Sequence, residues 1–238
     1  MNTKTLRTTF VVMGLLLAVA PAWSQYRGRG YYERDGAFRL RLGSFLPEGS
    51  SEYWEENESE FTGDIGDLEN VSFGADYLLS LSPRVSLQFG GTVYEGDTTQ
   101  AYRDFVDNFG DEIRHDTTLS IASANLGVLL NLTGPDSPII PYIGAGAGAY
   151  FWQLEEDGDF IDFRTVDDEI FSATLQSEGV TFGYYGLVGL EAPLSPRFSL
   201  FAEGRWTQAE DELSDDFESF GDIDLSGREF AVGISWNL

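Results

Sequence analysis

The chain alternates apolar and polar residues with a period of two over much of its length. From Val71 to Leu81 every odd position is apolar, and among the even positions only Leu78 interrupts the small or polar residues. The same alternation runs from Glu229 to Leu238. A period of two is typical of a β-strand with one apolar face. Six further segments show it, within residues 38–43, 85–93, 122–131, 142–151, 181–191 and 198–206. We therefore predict eight strands.

The connections between these strands alternate between short and long. The segments "LSPR" (81–84), "TGPDSP" (133–138) and "PLSPR" (193–197) carry the proline, glycine and serine residues of tight turns. The other four connections are about 20 to 27 residues long, which is uncommon for loops of a compact soluble domain. They cover residues 46–70, 95–117, 153–179 and 208–226.

A short sequence repeat coincides with two of the short connections. "LSPRVSL" begins at Leu81 and "LSPRFSL" begins at Leu194. Proline sets the backbone of a tight turn. If consecutive strands are antiparallel neighbours, both copies lie at the same end of a barrel. The repeat therefore predicts one turn geometry used twice.

Charged residues on the polar strand faces decide which face meets the surrounding solvent. Three are basic and four are acidic, so they nearly cancel: Arg39, Arg41, Asp76, Glu191, Glu203, Arg205 and Glu229. Each basic residue facing lipid near the bilayer midplane costs about 2 to 4 kcal/mol, whereas a soluble barrel would carry many more charges on its water-facing surface. We predict that the apolar face meets lipid and that the seven charges form ion pairs between strands inside the lumen. The predicted fold is all-β, an eight-stranded antiparallel up-and-down transmembrane β-barrel over residues 36–238.

The amino-terminal 24 residues have the pattern of a secretory signal peptide. Lys4 and Arg7 precede an apolar run from Phe10 to Ala20, and small residues precede Gln25. This run is shorter than the roughly 20 residues that a transmembrane helix needs. We predict cleavage before Gln25 and a short periplasmic leader over residues 25–35.

Composition excludes some functions. The formal net charge of −26 argues against binding to nucleic acid. The absence of cysteine excludes disulfides and thiolate chemistry.

The four long connections hold 33 of the 40 acidic residues, and their basic residues are Arg103, Arg114 and Arg164. Clustered carboxylates favour weak association with Ca²⁺ or Mg²⁺, although neither "EEDGDF" nor "DDFESFGDID" matches a calcium-binding loop. The alternative is a solvated surface whose charges repel one another. We predict no dedicated metal site and no cofactor.

The sequence contains little that indicates catalysis. Its single histidine, His115, lies in "IRHDTTLS", near the hydroxyls of Thr117, Thr118 and Ser120. A lone histidine in a loop is usually solvated, so we predict no catalytic residue. Three small residues on one lumenal face, Gly144, Gly146 and Gly148, would leave a gap in the lumen and keep a narrow channel open as an alternative function.

Five segments resemble the small outer-membrane β-barrel proteins of Gram-negative bacteria, the broad group that includes OmpA, OmpX and OmpW. They are "LRLGSFLPEG", "FGADYLLSLSPRVSLQFGG", "PYIGAGAGAYF", "SPRFSLFAEGRW" and the closing "FAVGISWNL". The resemblance covers residues from about 35 to 238. The chain departs from the family pattern at Leu238, where the family usually has phenylalanine.

This resemblance implies a location in the bacterial outer membrane, with the acidic connections facing outward. The implied partners are outer-membrane lipid, lipopolysaccharide and the barrel-assembly machinery. We expect a non-enzymatic role in envelope structure or surface interaction. Two alternatives remain: a narrow porin-like channel or carrier for small solutes, and an enzyme that modifies lipid A.

Overall fold

The computed structural model describes residues 35–134, 137–163 and 169–238. The predicted signal peptide and the leader up to residue 34 lie outside this part of the chain. The described residues form helix α1 (Glu52–Glu60) and the 3₁₀ helices η1 (Ile65–Leu68) and η2 (Asp215–Phe220). They also form ten strands: β1 (Gly36–Pro47), β2 (Asn70–Ser80), β3 (Val85–Val106), β4 (Glu112–Asn131), β5 (Ile140–Asp162), β6 (Glu169–Pro193), β7 (Phe198–Gln208), β8 (Glu210–Glu212), β9 (Asp222–Asp224) and β10 (Gly227–Asn237).

Eight of these strands close into an antiparallel barrel in the order β1, β10, β7, β6, β5, β4, β3, β2. Closure occurs at β1, where Phe38 lies opposite Trp236 of β10 and opposite Tyr77 of β2. A closed ring leaves no strand edge unpaired, as lipid requires. The predicted eight-stranded barrel is confirmed. β8 and β9 form a separate two-stranded sheet.

The repeated "LSPR" segments form the same turn, as predicted. Leu81 N donates to Val85 O, and Leu194 N donates to Phe198 O, both at 2.9 Å. In each turn the serine hydroxyl accepts a hydrogen bond from the first backbone N–H of the next strand at 3.1 Å. These turns mark one end of the barrel, which we call the bottom.

The barrel wall has unequal heights. β3, β4, β5 and β6 have 20 to 25 residues, whereas β1, β2, β7 and β10 have 11 or 12. The expectation that residues 95–117 and 153–179 are loops was wrong, because their described residues are mostly strand. The alternation continues in these segments, but here the polar residues face outward and the apolar residues face inward. Glu95 and Asp97 face outward, and Leu119 and Leu154 face inward and are fully buried.

Above the short strands, the other two long connections fold over the top of the barrel. Residues 46–70 supply α1 and η1, and residues 208–226 supply β8, η2 and β9. Trp54 of α1 is buried, and its Nε1 donates to the carbonyl of Asp224 at 3.1 Å. A core of buried apolar side chains joins these elements to the tall strands: Tyr53, Trp54, Leu68, Tyr94, Leu119, Ile121, Tyr150, Trp152, Leu154, Ala209, Leu213, Phe217, Ile223 and Leu225. We call this set the upper core.

The lower part of the barrel has an apolar outer surface. Leu40, Phe73, Leu126, Leu190 and Val232 are among its exposed side chains. Aromatic side chains border this band at both ends, with Phe198 and Trp236 near the bottom and Phe151, Phe182 and Trp206 at its top. An apolar band between two aromatic rings is the lipid-facing surface of a transmembrane barrel. We call this band the membrane region and everything above it the upper region.

No helix among residues 35–134, 137–163 and 169–238 has the length and apolar character to cross a membrane.

Candidate functional site

The lumen of the membrane region contains all seven charged residues that the strand pattern placed there. Arg39 and Arg41 alternate with lipid-facing Leu40 on β1, so both guanidinium groups point inward. All seven residues are at least nine-tenths buried. We call them the lumen network.

The predicted ion pairs between strands are present in the lumen network. Arg39 pairs with Glu191 of β6, and Arg41 pairs with Asp76 of β2. Arg41 Nε also lies 3.6 Å from Glu229 Oε1 of β10. Four strands are thereby joined across the lumen through β1.

Arg205 on β7 extends the same network. Its Nη2 donates to Glu203 Oε1 at 3.1 Å, and its Nε lies 4.0 Å from Glu229 Oε2. The Glu229 carboxylate accepts a further hydrogen bond from Ser72 Oγ at 2.7 Å. Because Glu229 lies between Arg41 and Arg205, the pairs are coupled rather than independent.

Aromatic rings fill the space around these charges. The Arg39 guanidinium lies 4.9 Å from the ring centroid of Tyr142 and 4.7 Å from that of Phe201. Arg205 lies 4.5 Å from the ring of Tyr185. Tyr142 Oη donates to Glu203 at 3.1 Å. Cation–π contacts of this kind gain strength when water is excluded, so the rings both occupy the lumen and stabilise its charges.

The gap expected at Gly144, Gly146 and Gly148 is absent, and that expectation was wrong. A Cβ built on Gly144 would lie 2.5 Å from Leu129, and one on Gly146 would lie 2.6 Å from the Tyr185 hydroxyl. Asn125 occupies the equivalent space beside Gly148. These glycines make room for large side chains of neighbouring strands, so they allow the lumen to be filled.

One cavity of about 30 Å³ lies between the lumen network and the upper core. Its lining combines Thr92, Ser123, Asn125 and Thr207 with Arg205, and with side chains of the upper core. A volume of this size accommodates about two water molecules.

Two polar contacts in the upper region attach α1 to the tall strands. Tyr53 Oη donates to Glu156 of β5 at 2.6 Å, and Gln100 Nε2 of β3 donates to Asn57 Oδ1 at 2.8 Å. Gln100 also accepts a hydrogen bond from Thr117 at 2.9 Å. Burial raises the pKa of Glu156 to about 7, although the hydrogen bond from Tyr53 partly opposes that change.

His115 lies inside the upper region and not in a solvated loop as expected. Its side chain is 1% exposed, stacks on Phe160 at 5.2 Å between centroids and meets the edge of Phe61 at 4.5 Å. Neither ring nitrogen has a hydrogen-bond partner among the described residues. Burial lowers its pKa to about 4, so the imidazole is neutral at pH 7. Gly158 permits this close packing, because a Cβ there would lie 2.5 Å from His115 Cα.

The hydroxyls near His115 in the sequence do not surround it in the structure. Thr117 points inward and donates to Gln100, whereas Thr118 and Ser120 face outward. Ser120 Oγ donates to the outward-facing Glu95 at 3.3 Å. This arrangement brings no nucleophile to the imidazole.

Outward carboxylates of the upper region lie next to uncharged hydrogen-bond donors on the neighbouring strand. Thr99 Oγ1 donates to Asp116 at 2.6 Å, and Gln176 Nε2 donates to Glu155 at 2.7 Å. Sequence reasoning missed this pairing because it treated these residues as loops, and cross-strand partners follow only from the register. No group of three or more acidic or histidine residues in the described part of the chain is arranged to hold a metal ion.

The three basic residues of the long connections have different surroundings. Arg114 pairs with Glu112 at 2.6 Å, and Arg103 Nε donates to the carbonyl of Glu58 at 3.2 Å. Arg164 lies outside the described residues. The two described arginines therefore leave the outer surface strongly acidic.

Comparison with known proteins identifies the fold. No protein-family model and no curated protein sequence matches the chain. The crystal structure of Neisserial surface protein A matches with a TM-score of 0.53 at 12% identity, over 85% of this chain and 96% of that one. The outer-membrane protein OprG from Pseudomonas aeruginosa matches with a TM-score of 0.52 at 12% identity, over 86% of this chain and 97% of that one.

At this identity the likeness concerns the fold, and the surface and lumen described above agree with it. A closed eight-stranded ring, an apolar band between aromatic rings and a polar lumen are the features of a bacterial outer-membrane barrel. The chain therefore has the fold of the small eight-stranded outer-membrane β-barrel proteins.

Proposed function

We propose that this protein is a non-conducting, non-enzymatic barrel that serves the outer membrane as a structural and surface-interaction protein. The observation that carries the proposal is the filled lumen. The lumen network and its aromatic rings occupy the membrane region, and the upper core occupies the space above it. An ion or solute would have to displace both.

The upper region supports the surface-interaction part of the proposal. It is a folded unit with buried side chains and not a set of mobile connections, and it extends beyond the lipid-facing band. Folding such a unit costs conformational entropy. In return, the folded unit presents a surface of defined shape to a partner. We place the top of the barrel at the cell exterior.

Reconstitution in planar bilayers tests the absence of conduction. The wild-type protein should give no stepwise conductance above the baseline. Reproducible steps would contradict the proposal if Thr92→Trp, which adds a large ring at the lumen cavity, abolishes them. Steps that persist in Thr92→Trp would come from leakage around the barrel, and the proposal would stand.

Lipopolysaccharide and the barrel-assembly machinery are the partners we propose. Outward carboxylates such as Glu95, Asp97 and Asp157 would meet anionic lipopolysaccharide through divalent cations, since hard cations bind carboxylate oxygens. Millimolar calcium should then slow proteolysis of the upper region more than sodium at matched ionic strength. Equal protection by both salts would mean that salt only screens the repulsion between the carboxylates, without binding of calcium.

The absence of enzymatic activity has its own test. His115 is buried between aromatic rings and faces away from the outward hydroxyls, which supports a packing role. Mass spectrometry of lipid A from cells with and without the protein should give identical spectra. A modified lipid A species that disappears in His115→Phe would contradict this part of the proposal.

A further inference from the structure

Five exposed apolar residues lie at the top of the two tall hairpins. They are Phe105, Val106 and Phe109 at the end of the β3–β4 hairpin, and Phe163 and Phe171 on the β5–β6 hairpin. We call this set the tip patch. Phe109 is 91% exposed, and the other four are between 40% and 59% exposed. Exposed clusters of this kind mark interaction sites on soluble surfaces.

The tip patch is not part of the lipid-facing band. Glu95, Asp97, Asp157 and Asp159 face outward on the wall between the two. Phe105 lies about ten residues beyond Glu95, which is roughly 33 Å along a strand. The patch therefore meets the aqueous exterior, and the protein's own membrane does not cover it.

Aromatic contacts hold Phe105 and Phe163 of the tip patch in place. Phe105 packs against Phe163 with 5.3 Å between ring centroids, and Tyr102 lies beneath both at 6.1 and 6.4 Å. Tyr102 in turn packs on Phe61 at 4.6 Å, and its hydroxyl accepts a hydrogen bond from Ile161 N at 3.3 Å. The two hairpins are thereby joined, and rings that are ordered in advance lose little entropy on binding.

The β3–β4 hairpin of the tip patch carries more acidic than basic residues. Asp104, Asp107 and Asp111 accompany its phenylalanines along the β3–β4 hairpin. Asp104 and Asp111 are exposed, whereas Asp107 Oδ1 accepts hydrogen bonds from the backbone of Phe109 and Asp111 at 2.8 Å. The hairpin also has two arginines: Arg114 is paired with Glu112, and Arg103 donates to the carbonyl of Glu58. Such an excess of acidic residues attracts positive charge and repels anionic lipid or a second copy of this chain.

We propose that the tip patch is a docking surface for a cationic amphipathic segment of another protein. The inference rests on the surface-interaction role proposed above, and it adds the chemistry of the partner. Apolar side chains of the segment contact Phe105, Phe109 and Phe163, and its lysine or arginine residues face Asp104 and Asp111. The conductance test of the proposed function is independent of the binding test below, so the two can fail separately.

The test uses the full-length mature protein in nanodiscs and three labelled synthetic helical peptides. The first alternates leucine and lysine faces, the second replaces its lysines with glutamates, and the third replaces its leucines with serines. Fluorescence anisotropy measures the dissociation constants. Only the first peptide should bind tightly, since it alone matches both the rings and the charge of the tip patch.

Variants locate the binding site. The double variant Phe105→Ser/Phe109→Ser should weaken binding of the leucine–lysine peptide by about tenfold or more, as expected for aromatic anchors. Asp104→Asn/Asp111→Asn should weaken it severalfold and reduce its dependence on salt. Glu218→Gln changes one exposed carboxylate on η2 away from the tip and should leave binding unchanged. Since Phe109 is almost wholly exposed, the phenylalanine variant should keep the heat-modifiable mobility of a folded barrel.

Several results would overturn the proposal. They are failure of the leucine–lysine peptide to bind, equal binding of the glutamate peptide, or unchanged affinity in the phenylalanine variant. Association of the wild-type nanodiscs with phosphatidylcholine vesicles that is lost in Phe105→Ser/Phe109→Ser would assign the patch to a lipid surface. Concentration-dependent self-association lost in that variant would assign it to a second copy.

Discussion

The membrane region and the upper region share one backbone ladder but reverse the placement of their side chains. On β4, Leu126 faces out and Asn125 faces in within the membrane region, whereas Thr118 faces out and Leu119 faces in above it. The pairing of β4 with β5 continues without a break through both regions. The backbone is therefore the same, and only the surroundings change from lipid to water.

The comparison shows how the same strand is adapted to lipid in its lower part and to water in its upper part. Lipid takes up apolar side chains, so the polar groups of the membrane region turn inward and must pair there, as Arg41 does with Asp76 and Glu229. Water takes up charge, so the upper region turns its apolar side chains inward and packs them around Trp54, as a soluble domain does. The lumen is filled in both regions, but by ion pairs in one and by an apolar core in the other.

The largest expected effect comes from breaking the lumen network. Arg41→Ala leaves the buried carboxylates of Asp76 and Glu229 without their shared partner, which should cost about 3 to 5 kcal/mol in free energy of unfolding. Urea unfolding in detergent, followed by tryptophan fluorescence, measures it. Arg228→Ala removes an exposed pair with Glu48 and should cost less than about 1 kcal/mol. Equal losses in the two variants would mean that water reaches the lumen network.

A comparable loss, confined to the upper region, is expected for Trp54→Ala. Removing a buried tryptophan should destabilise the upper core by about 3 to 5 kcal/mol. Proteinase K should then cleave residues 46–70 faster, while the barrel keeps its resistance to unfolding in detergent without heating. Glu55→Ala on the exposed face of α1 is the matched control. Loss of barrel resistance in Trp54→Ala would show that the two regions unfold together.

A pair of substitutions on one face of β4 sharpens the boundary between the regions. Leu126→Arg places a charge on the lipid-facing band and should cost about 2 to 4 kcal/mol. Thr118→Arg makes the same change on the same face above the band and should cost less than about 0.5 kcal/mol. Unfolding in lipid bilayers measures both. Similar costs at the two positions would place Thr118 in lipid or Leu126 in water.

The smallest expected effect is a pH dependence in the upper region. The pKa of Glu156 rises from 4.5 to about 7 on folding, so the folded state keeps a proton that the unfolded state loses. The stability that this group supports is complete below pH 4.5 and is lost as the pH rises to 7. His115 acts oppositely, because its pKa falls from 6.5 to about 4 and folding is disfavoured as the pH drops through that window.

The variant Glu156→Gln separates the contribution of Glu156 to the pH dependence from that of His115. The amide still accepts the hydrogen bond from Tyr53 but does not titrate, so the variant should gain about 1 to 3 kcal/mol relative to the wild type as the pH rises from 4.5 to 7. Hydrogen exchange of α1 at a series of pH values measures this difference. Glu55→Gln, on the exposed face of α1, should leave the profile unchanged. A flat difference between Glu156→Gln and the wild type would mean that Glu156 is solvated.

Much of the membrane region was predictable from the sequence because its rule is local. Alternation from Val71 to Leu81 identifies β2 and its lipid face, and the seven charges on polar faces identify the lumen network. The repeated "LSPR" identifies two equivalent turns. Each of these features depends on residues within one strand or one turn, where side-chain direction follows from position alone.

The upper region does not follow the rule of apolar-out strands that identifies the membrane region, so that rule does not predict its strands. Residues 112–120 alternate as regularly as residues 122–131, but their apolar members are the inward ones. Leu119 and Ile113 therefore carried a signal for the continued strand. The acidic residues of this segment, Glu112 and Asp116, suggest a solvated loop, although their charge describes only the outward face.

The sequence by itself determined the strand periodicity, the lipid-facing surface, the turns and the charges inside the membrane region. Only the tertiary structure decided that Tyr185 and Leu129 fill the space beside the lumenal glycines, that α1 covers the top, and that His115 is buried. The physical reason is the range of the interactions. A strand's two faces are set by neighbours two residues away, whereas lumen filling depends on which side chains from distant strands meet across the barrel, and this depends on the register and closure of the whole sheet.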